Sequence, residues 1–377
     1  MKKLVLTAAA VLIITSCGGA DNNIETPTDP PVQTGMPVQT EAPGVISDYF
    51  PVRTNTNYHY ESPGNNELTQ DIYITYTGGS RVQRRAASNK VSSTEVLQYQ
   101  EGELRLVFGE PNFYFFEDLT SVEPMTDMLL LKEPLIKGQK WDLDSTGVSE
   151  ITALDISVPM PGGDLQAMEV TTIFTDGRKQ KEYYSKGVGL IKTVYTTTDG
   201  RSLEILLTDV TEQTALLVSV DFFYPDAGSE AGYGKEERQL QINTNSDLAS
   251  LFTEQLKTEG QSGYTWLAGG AVIDSIEVDR VNDTAIVTFS DNEGINSEEG
   301  IQTLADTLGH FYGVSKVRPE VPGSDFTAGG KTFGPLDFIT VTVEEDQIRV
   351  SPEEQNTVTA EEEQITVTTE EAQGTVY

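Results

Sequence analysis

The chain has 377 residues, 25 Lys and Arg against 59 Asp and Glu, and a formal charge of −34 at pH 7. A surface this negative repels phosphate, which argues against nucleic acid as a partner and against an anionic lipid headgroup layer as a docking surface. With one cysteine in the sequence, no intramolecular disulfide or thiolate metal cluster can form.

Residues 1–16 carry Lys2 and Lys3 and then an apolar run from Leu4 to Ile14, the layout of a secretory signal. The run is shorter than the ~20 apolar residues needed to cross ~30 Å of hydrocarbon, so a cleaved export signal is expected rather than a membrane span. It ends in Ile14-Thr15-Ser16-Cys17, which resembles the lipobox of bacterial lipoproteins. That resemblance implies acylation of Cys17, palmitate being a typical chain, and membrane contact through this N-terminal lipid. Residues 17–44, with Gly18, Gly19 and five prolines, hold few large apolar groups and are expected to form a flexible tether.

From 45 to 210 the pattern is alternation punctuated by turns. Strands are expected at Asn57–Glu61, Asp71–Tyr76, Glu95–Tyr99, Glu103–Phe108, Ile151–Val158, Leu165–Phe174, Lys179–Ser185, Gly189–Thr197 and Ser202–Leu207. Links such as Gly78-Gly79, Asp176-Gly177 and Asp199-Gly200 tolerate the positive φ of tight hairpins. The expected fold is an all-β domain, an antiparallel sheet curled on itself or a half-barrel. Two stretches interrupt the alternation, Pro111–Phe116 and Met125–Leu131, both apolar enough to line a core or a pocket. The ring cluster Phe113, Tyr114, Phe115 and Phe116 is expected to be core rather than a ligand cage. The stretches Lys132–Trp141 and Glu182–Lys192, the latter with a Gly-x-Gly hairpin, resemble segments of uncharacterised bacterial envelope β-domains, a likeness of fold habit alone.

From 214 to 335 the period changes. Strands are expected at Ala215–Tyr224 and Gln239–Asn243, followed by a helix over Leu248–Leu256 capped by Ser246. Two more strands, Val272–Asp279 and Thr284–Ser290, precede a second helix from Ser297 to Tyr312 with Glu298 and Glu299 in its first turn and Gly313 as its stop. A strand starting at Val314–Val317 completes an α+β domain, one sheet covered by two helices. From 340 to 377 an imperfect Thr-Val repeat, Ile339–Glu345, Asn356–Glu362 and Ile365–Glu371, runs through an acidic tail expected to be disordered.

Catalytic groups are scarce. His59 falls on a strand and His310 beside an apolar helix face, neither at metal-ligand spacing. There is no Gly-x-Ser-x-Gly elbow and no phosphate-binding glycine loop opening a helix. Acidic pairs are too abundant to single any out. The chain is therefore expected not to be an enzyme and to need no cofactor or metal.

The region 216–332 resembles the GerMN domain of sporulation and spore-germination proteins. The likeness rests on Val218–Pro225, the helix Leu248–Leu256, the strands Ile273–Val278 and Ala285–Ser290, and Leu304–Val317 as its most specific stretch. It departs at Glu259–Gly263, where the family has a Gly-Pro step, and in a loose ending after Val321-Pro322-Gly323. The resemblance implies a non-catalytic module docking an envelope protein or peptidoglycan in sporulation or germination, on the outer face of the cytoplasmic membrane of a Gram-positive cell. An alternative expectation, motivated by the apolar density from Phe113 to Leu131, is a β-domain that captures a lipid or small apolar ligand.

Overall fold

The computed structural model describes residues 44–342, save 66–67, 89–90, 292–294 and 296. The export signal, Cys17, the tether up to residue 43 and the tail from residue 343 lie outside the described residues. The described chain is mostly β, with a large, nearly closed antiparallel sheet and few helices.

That sheet contains β1 (Thr56–Glu61), β2 (Gln70–Gly78), β3 (Arg81–Ser88), β4 (Ser92–Gln100), β5 (Glu103–Pro111) and β6 (Met128–Lys132). It continues with β7 (Lys140–Asp142), β8 (Gly147–Val158), β9 (Leu165–Phe174), β10 (Lys179–Ser185), β11 (Gly189–Thr196) and β12 (Ser202–Glu212). The order β6-β5-β4-β3-β2-β1-β12-β11-β10-β9-β8-β7 is two meanders joined where β1 pairs with β12, from Thr56↔Glu212 to Glu61↔Leu206. At the other end β6 and β7 lie side by side, and the Trp141 indole N–H of β7 donates to the Leu129 carbonyl of β6 at 3.3 Å. The expected curled sheet thus comes close to a full barrel.

Alternation explains which face looks inward. Tyr58, Tyr60, Leu104, Leu106, Ile151, Met168, Val170, Ile191 and Ile205 are buried. Each such aliphatic side chain stabilises the fold by roughly 1.5–3 kcal/mol. Between them, outward residues pair across strands: Lys140 with Glu150 at 3.0 Å, Lys181 with Glu169 at 3.1 Å and Lys192 with Glu204 at 2.9 Å. This is the reverse of the apolar outer band of a membrane-spanning barrel.

In this sheet three strands lie beyond those expected: β3, β6 and β7. β3 shows no apolar alternation because Arg84 follows Val82 on its inward face, while its outward Gln83 is covered by the chain segment 112–127. That segment straps the outside of β3 to β5. Gln83 donates to the Glu117 carbonyl at 2.8 Å and accepts from the Leu119 N–H at 2.7 Å, and Arg81 donates to the carbonyls of Thr120 and Val122. Leu119 and Val122 pack on Val96, Val107 and Phe108 beneath.

One mouth of the barrel is covered by α1 (Ile46–Tyr49) and the residues after it. The Ile46 N–H donates to Glu133 Oε1 at 2.7 Å and the Gly187 N–H to the Asp48 carbonyl at 2.6 Å. Ile46 is buried, with Tyr49 and Phe50 packed on the same cluster.

The C-terminal half follows the expected order of elements: β13 (Leu216–Pro225), β14 (Tyr233–Ile242), α2 (Leu248–Lys257), β15 (Ile273–Asp279), β16 (Thr284–Phe289), α3 (Glu298–Tyr312) and β17 (Lys316–Glu320). Short strands β18 (Phe326–Ala328), β19 (Lys331–Phe333) and β20 (Ile339–Thr340) end it. Ser297 caps α3 by accepting from the Gly300 N–H at 2.9 Å, and Gly313 stops it at φ 59°. Three expectations need correction. The cap of α2 is Asp247, which accepts from the Ala249 N–H at 3.1 Å, while Ser246 accepts from the Asn243 N–H one turn earlier. The single sheet is divided into a β13-β14 ribbon, a four-stranded sheet, β15-β16-β17-β20, with β16 and β17 parallel, and a short β18-β19 pair. Finally, residues 340–342 are packed rather than tail-like, because Ile339 and Val341 alternate into the core and β20 pairs with β17.

Asp306 of α3 holds that last strand, accepting from the Thr342 N–H at 2.5 Å and from Gln302 at 3.2 Å. Burial pushes its carboxyl up to about 6 despite these bonds. Since this exceeds the ordinary value of ~3.9, the native state keeps a proton that the unfolded chain releases, and this group's stability contribution grows as pH falls from 7 through 6 towards 4. Asp306→Asn, a neutral mimic, should therefore raise the urea midpoint at pH 7.5, with the gain shrinking towards pH 4.5. A gain that does not change with pH would contradict this account.

Candidate binding cavity

Inside the barrel, a largely enclosed cavity of about 120 Å³ lies between the two meanders. Most of its wall is aliphatic or aromatic, with Leu104, Leu106, Met128 and Leu129 from β5 and β6, Ile205 from β12, and Phe50, Tyr60, Phe174, Tyr184 and Tyr195 among the rings. A second void of about 50 Å³ shares Phe50, Tyr60, Ile72, Arg84 and Leu190 and lies towards the mouth covered by residues 44–51.

Three charged side chains face the cavity: Arg84, Glu95 and Glu182. Arg84 and Glu95 are direct neighbours in the β3–β4 register, and Nε of Arg84 donates to Glu95 Oε2 at 2.6 Å. Glu182 comes from β10 on the opposite meander. Burial drives its carboxyl upward, while hydrogen bonds from Tyr184 and Gln180 and the field of Arg84 act the other way. Tyr60 donates its hydroxyl to the Leu190 carbonyl at 2.8 Å. Burial also raises the phenols of Tyr60, Tyr184 and Tyr195, keeping them neutral hydrogen-bonding groups.

The residues singled out from sequence fall apart in space. Of the apolar stretch Phe113–Leu131, only the β6 residues, among them Leu129, reach the cavity wall. The ring cluster leaves the barrel. Phe116 is buried in the C-terminal core, stacked on Phe311 at 5.8 Å with the Arg85 guanidinium 4.5 Å from its ring centroid. Phe115 lies under Arg280, which also pairs with Glu117. His59 is on the outer face of β1 with Nδ1 2.9 Å from Asp71, a bond that raises its pKa. His310 lies 4.8 Å from the Phe223 ring, and burial lowers its pKa. Neither histidine lines the cavity. Glu95 and Glu182 were not legible as a pair, since nothing in the alternation of two distant strands says which acids share an interior. Among the described residues no group of three or more His, Cys, Asp or Glu stands close enough to hold a metal ion, and no helix is long and apolar enough to cross a membrane.

The two halves are joined by a second set of contacts beside the aromatic one. Asn55 and Thr244 exchange hydrogen bonds at 2.9 and 2.8 Å, Asn245 donates to the Thr75 carbonyl at 2.9 Å, and Tyr73 donates to the Thr214 carbonyl at 3.1 Å. Asn55 and Asn245 sit at φ 52° and 61°, a conformation asparagine tolerates better than most residues.

No protein-family model matches the sequence, and no curated protein matches it. Two solved structures are similar to parts of it. The tandem GerMN domains of the sporulation protein GerM from Bacillus subtilis share 15% identity over 34% of this chain, with a TM-score of 0.24, and the match spans 48% of that structure. A candidate lipoprotein from Parabacteroides distasonis ATCC 8503 shares 14% identity over 43% of this chain and 98% of its own, with a TM-score of 0.28. At these scores neither likeness carries an argument about this chain.

Proposed function

We propose that this chain is an exported, lipid-anchored protein of the cell envelope that binds without catalysing, and that its barrel takes up a small ligand. The observation that carries the ligand reading is the cavity, which is apolar in its wall and polar at a few convergent groups. Its size narrows the ligand class. About 120 Å³ is below the ~300 Å³ of ordinary ligand pockets and close to the ~150 Å³ cavity that accepts benzene, so a compact molecule fits and a two-chain lipid does not. The same limit disfavours a polymer hydrolase built on Glu95 and Glu182, and Glu95 is already engaged by Arg84. Native mass spectrometry of the full chain purified from its membrane should show a bound small molecule. Chain without ligand, with only ordered water in the cavity, would overturn the reading.

Anchoring rests on Ile14-Thr15-Ser16-Cys17. Cys17→Ser should move the protein from the membrane fraction to the soluble extracytoplasmic fraction, and an unchanged membrane fraction would contradict lipidation. A second reading is supported by β14, which has β13 on one side and no strand on the other among the described residues. A free strand edge can accept an added strand. This supports docking of an envelope partner by residues 214–335, and the GerMN resemblance of 216–332 makes sporulation or germination the setting to test first.

A further inference from the structure

We propose that the barrel cavity is selective for a small organic cation: an ammonium group set against Glu182, on an apolar body about the size of a benzene ring. This rests on the reading of the cavity as a ligand site and names the ligand's class.

Charge comes first. The cavity wall holds one cation, Arg84, and two carboxylates, Glu95 and Glu182. Arg84 is bonded to Glu95, its register partner, so the pair is neutral as a unit. Glu182 stands on the other meander, where the groups bonded to it, Tyr184 and Gln180, are uncharged and Arg84 and Glu95 act on it through their fields. An ionised carboxylate in such an enclosure needs either a proton or a second cation.

The walls favour the second cation as ligand. Tyr60, Tyr184 and Tyr195 line the same space, and aromatic faces attract an ammonium group that has left water, while Phe50 and Phe174 already lie against the guanidinium groups of Arg84 and Arg178. Leu104, Leu106, Leu129 and Met128 of β5 and β6 offer a surface for an apolar body. A neutral apolar ligand would use the walls and leave Glu182 protonated, whereas an anionic ligand would meet Glu95 and Glu182 together.

Proton and ligand then compete for one site. Burial raises the Glu182 carboxyl, with its bonds to Tyr184 and Gln180 and the field of Arg84 opposing and Glu95 reinforcing that rise, so a proton and an ammonium group are alternative partners for it. Burial raises the neighbouring phenols of Tyr60, Tyr184 and Tyr195, so they offer neutral rings and hydroxyls.

Titration calorimetry of the full chain with benzylamine, against benzyl alcohol of nearly the same shape, tests the assignment. Benzylamine is expected to bind at least tenfold tighter. Glu182→Gln is expected to abolish the tenfold preference and keep weak binding of the alcohol. The wild-type comparison decides alone if that variant does not fold. Equal or tighter binding of benzyl alcohol overturns the cation assignment and leaves the cavity a ligand site. Failure of both probes to bind, with only water in the cavity, overturns the ligand reading itself.

Discussion

Trp141→Ala is expected to lower the unfolding free energy by about 3–5 kcal/mol, the usual cost of truncating a buried tryptophan. The side chain is only 5% exposed and packs with Leu129, Leu131 and Ile151. It also makes a bond between strands that no backbone ladder joins, its indole N–H to the Leu129 carbonyl. Alanine leaves a void at that seam and an acceptor without its donor. Trp141→Phe separates the two effects: it keeps most of the packing and should cost about 1–3 kcal/mol, the penalty for an unsatisfied buried polar group. Urea denaturation of both variants checks this order, and a loss below about 1 kcal/mol for alanine would show that Trp141 does not hold the edges together. Loss of benzyl alcohol binding in Trp141→Ala would further tie the seam to the cavity.

Phe116→Ala should cost a similar ~3–5 kcal/mol, but its more telling effect is on cooperativity. Phe116 is carried by the strap over β3 to β5 and is buried in a core otherwise made by the C-terminal half. It stacks on Phe311 and lies under Arg85, whose guanidinium burial lowers to about 10. Alanine removes the ring from both. The wild type is expected to unfold in one transition, and the variant in two, with the C-terminal half melting first. Calorimetry reads this directly, and a single transition in the variant would mean that the Asn55 and Asn245 contacts suffice for coupling. Met125→Ala on the same strap, where the side chain is 74% exposed, should stay within about 0.5 kcal/mol of wild type.

The strands that were legible are those whose two faces see different surroundings. β9, with Met168, Val170 and Thr172 inward against Glu169 and Thr171 outward, has the expected bounds. β3 was silent because both of its faces carry buried polar residues, Arg84 beside Val82 turned inward and Gln83 roofed by the strap. α3 was legible from end to end, since cap, first-turn acids and Gly313 are local signals. Which strands share a sheet was not, because apolar periodicity marks a buried face without naming its partner, and so the ribbon β13-β14 could not be told from the four-stranded sheet. The cavity was hidden for the same reason. Glu95 and Glu182 stand 87 positions apart in a sequence rich in acids, and only closure brings them together.

Closure has a consequence for how quickly the native state is reached. Each ladder of the twelve-stranded sheet but one joins strands adjacent in the chain, so both meanders can zip from local hairpins within microseconds to milliseconds. The exception is β1 with β12, whose pairing of Thr56 with Glu212 brings together ends separated by the whole sheet. The entropy of that long loop makes it the slow step, and until it is taken both meanders offer open edges to other chains. Stabilising the β1–β12 ladder should therefore speed refolding and limit aggregation, while changes at hairpin turns alter stability with little effect on the rate.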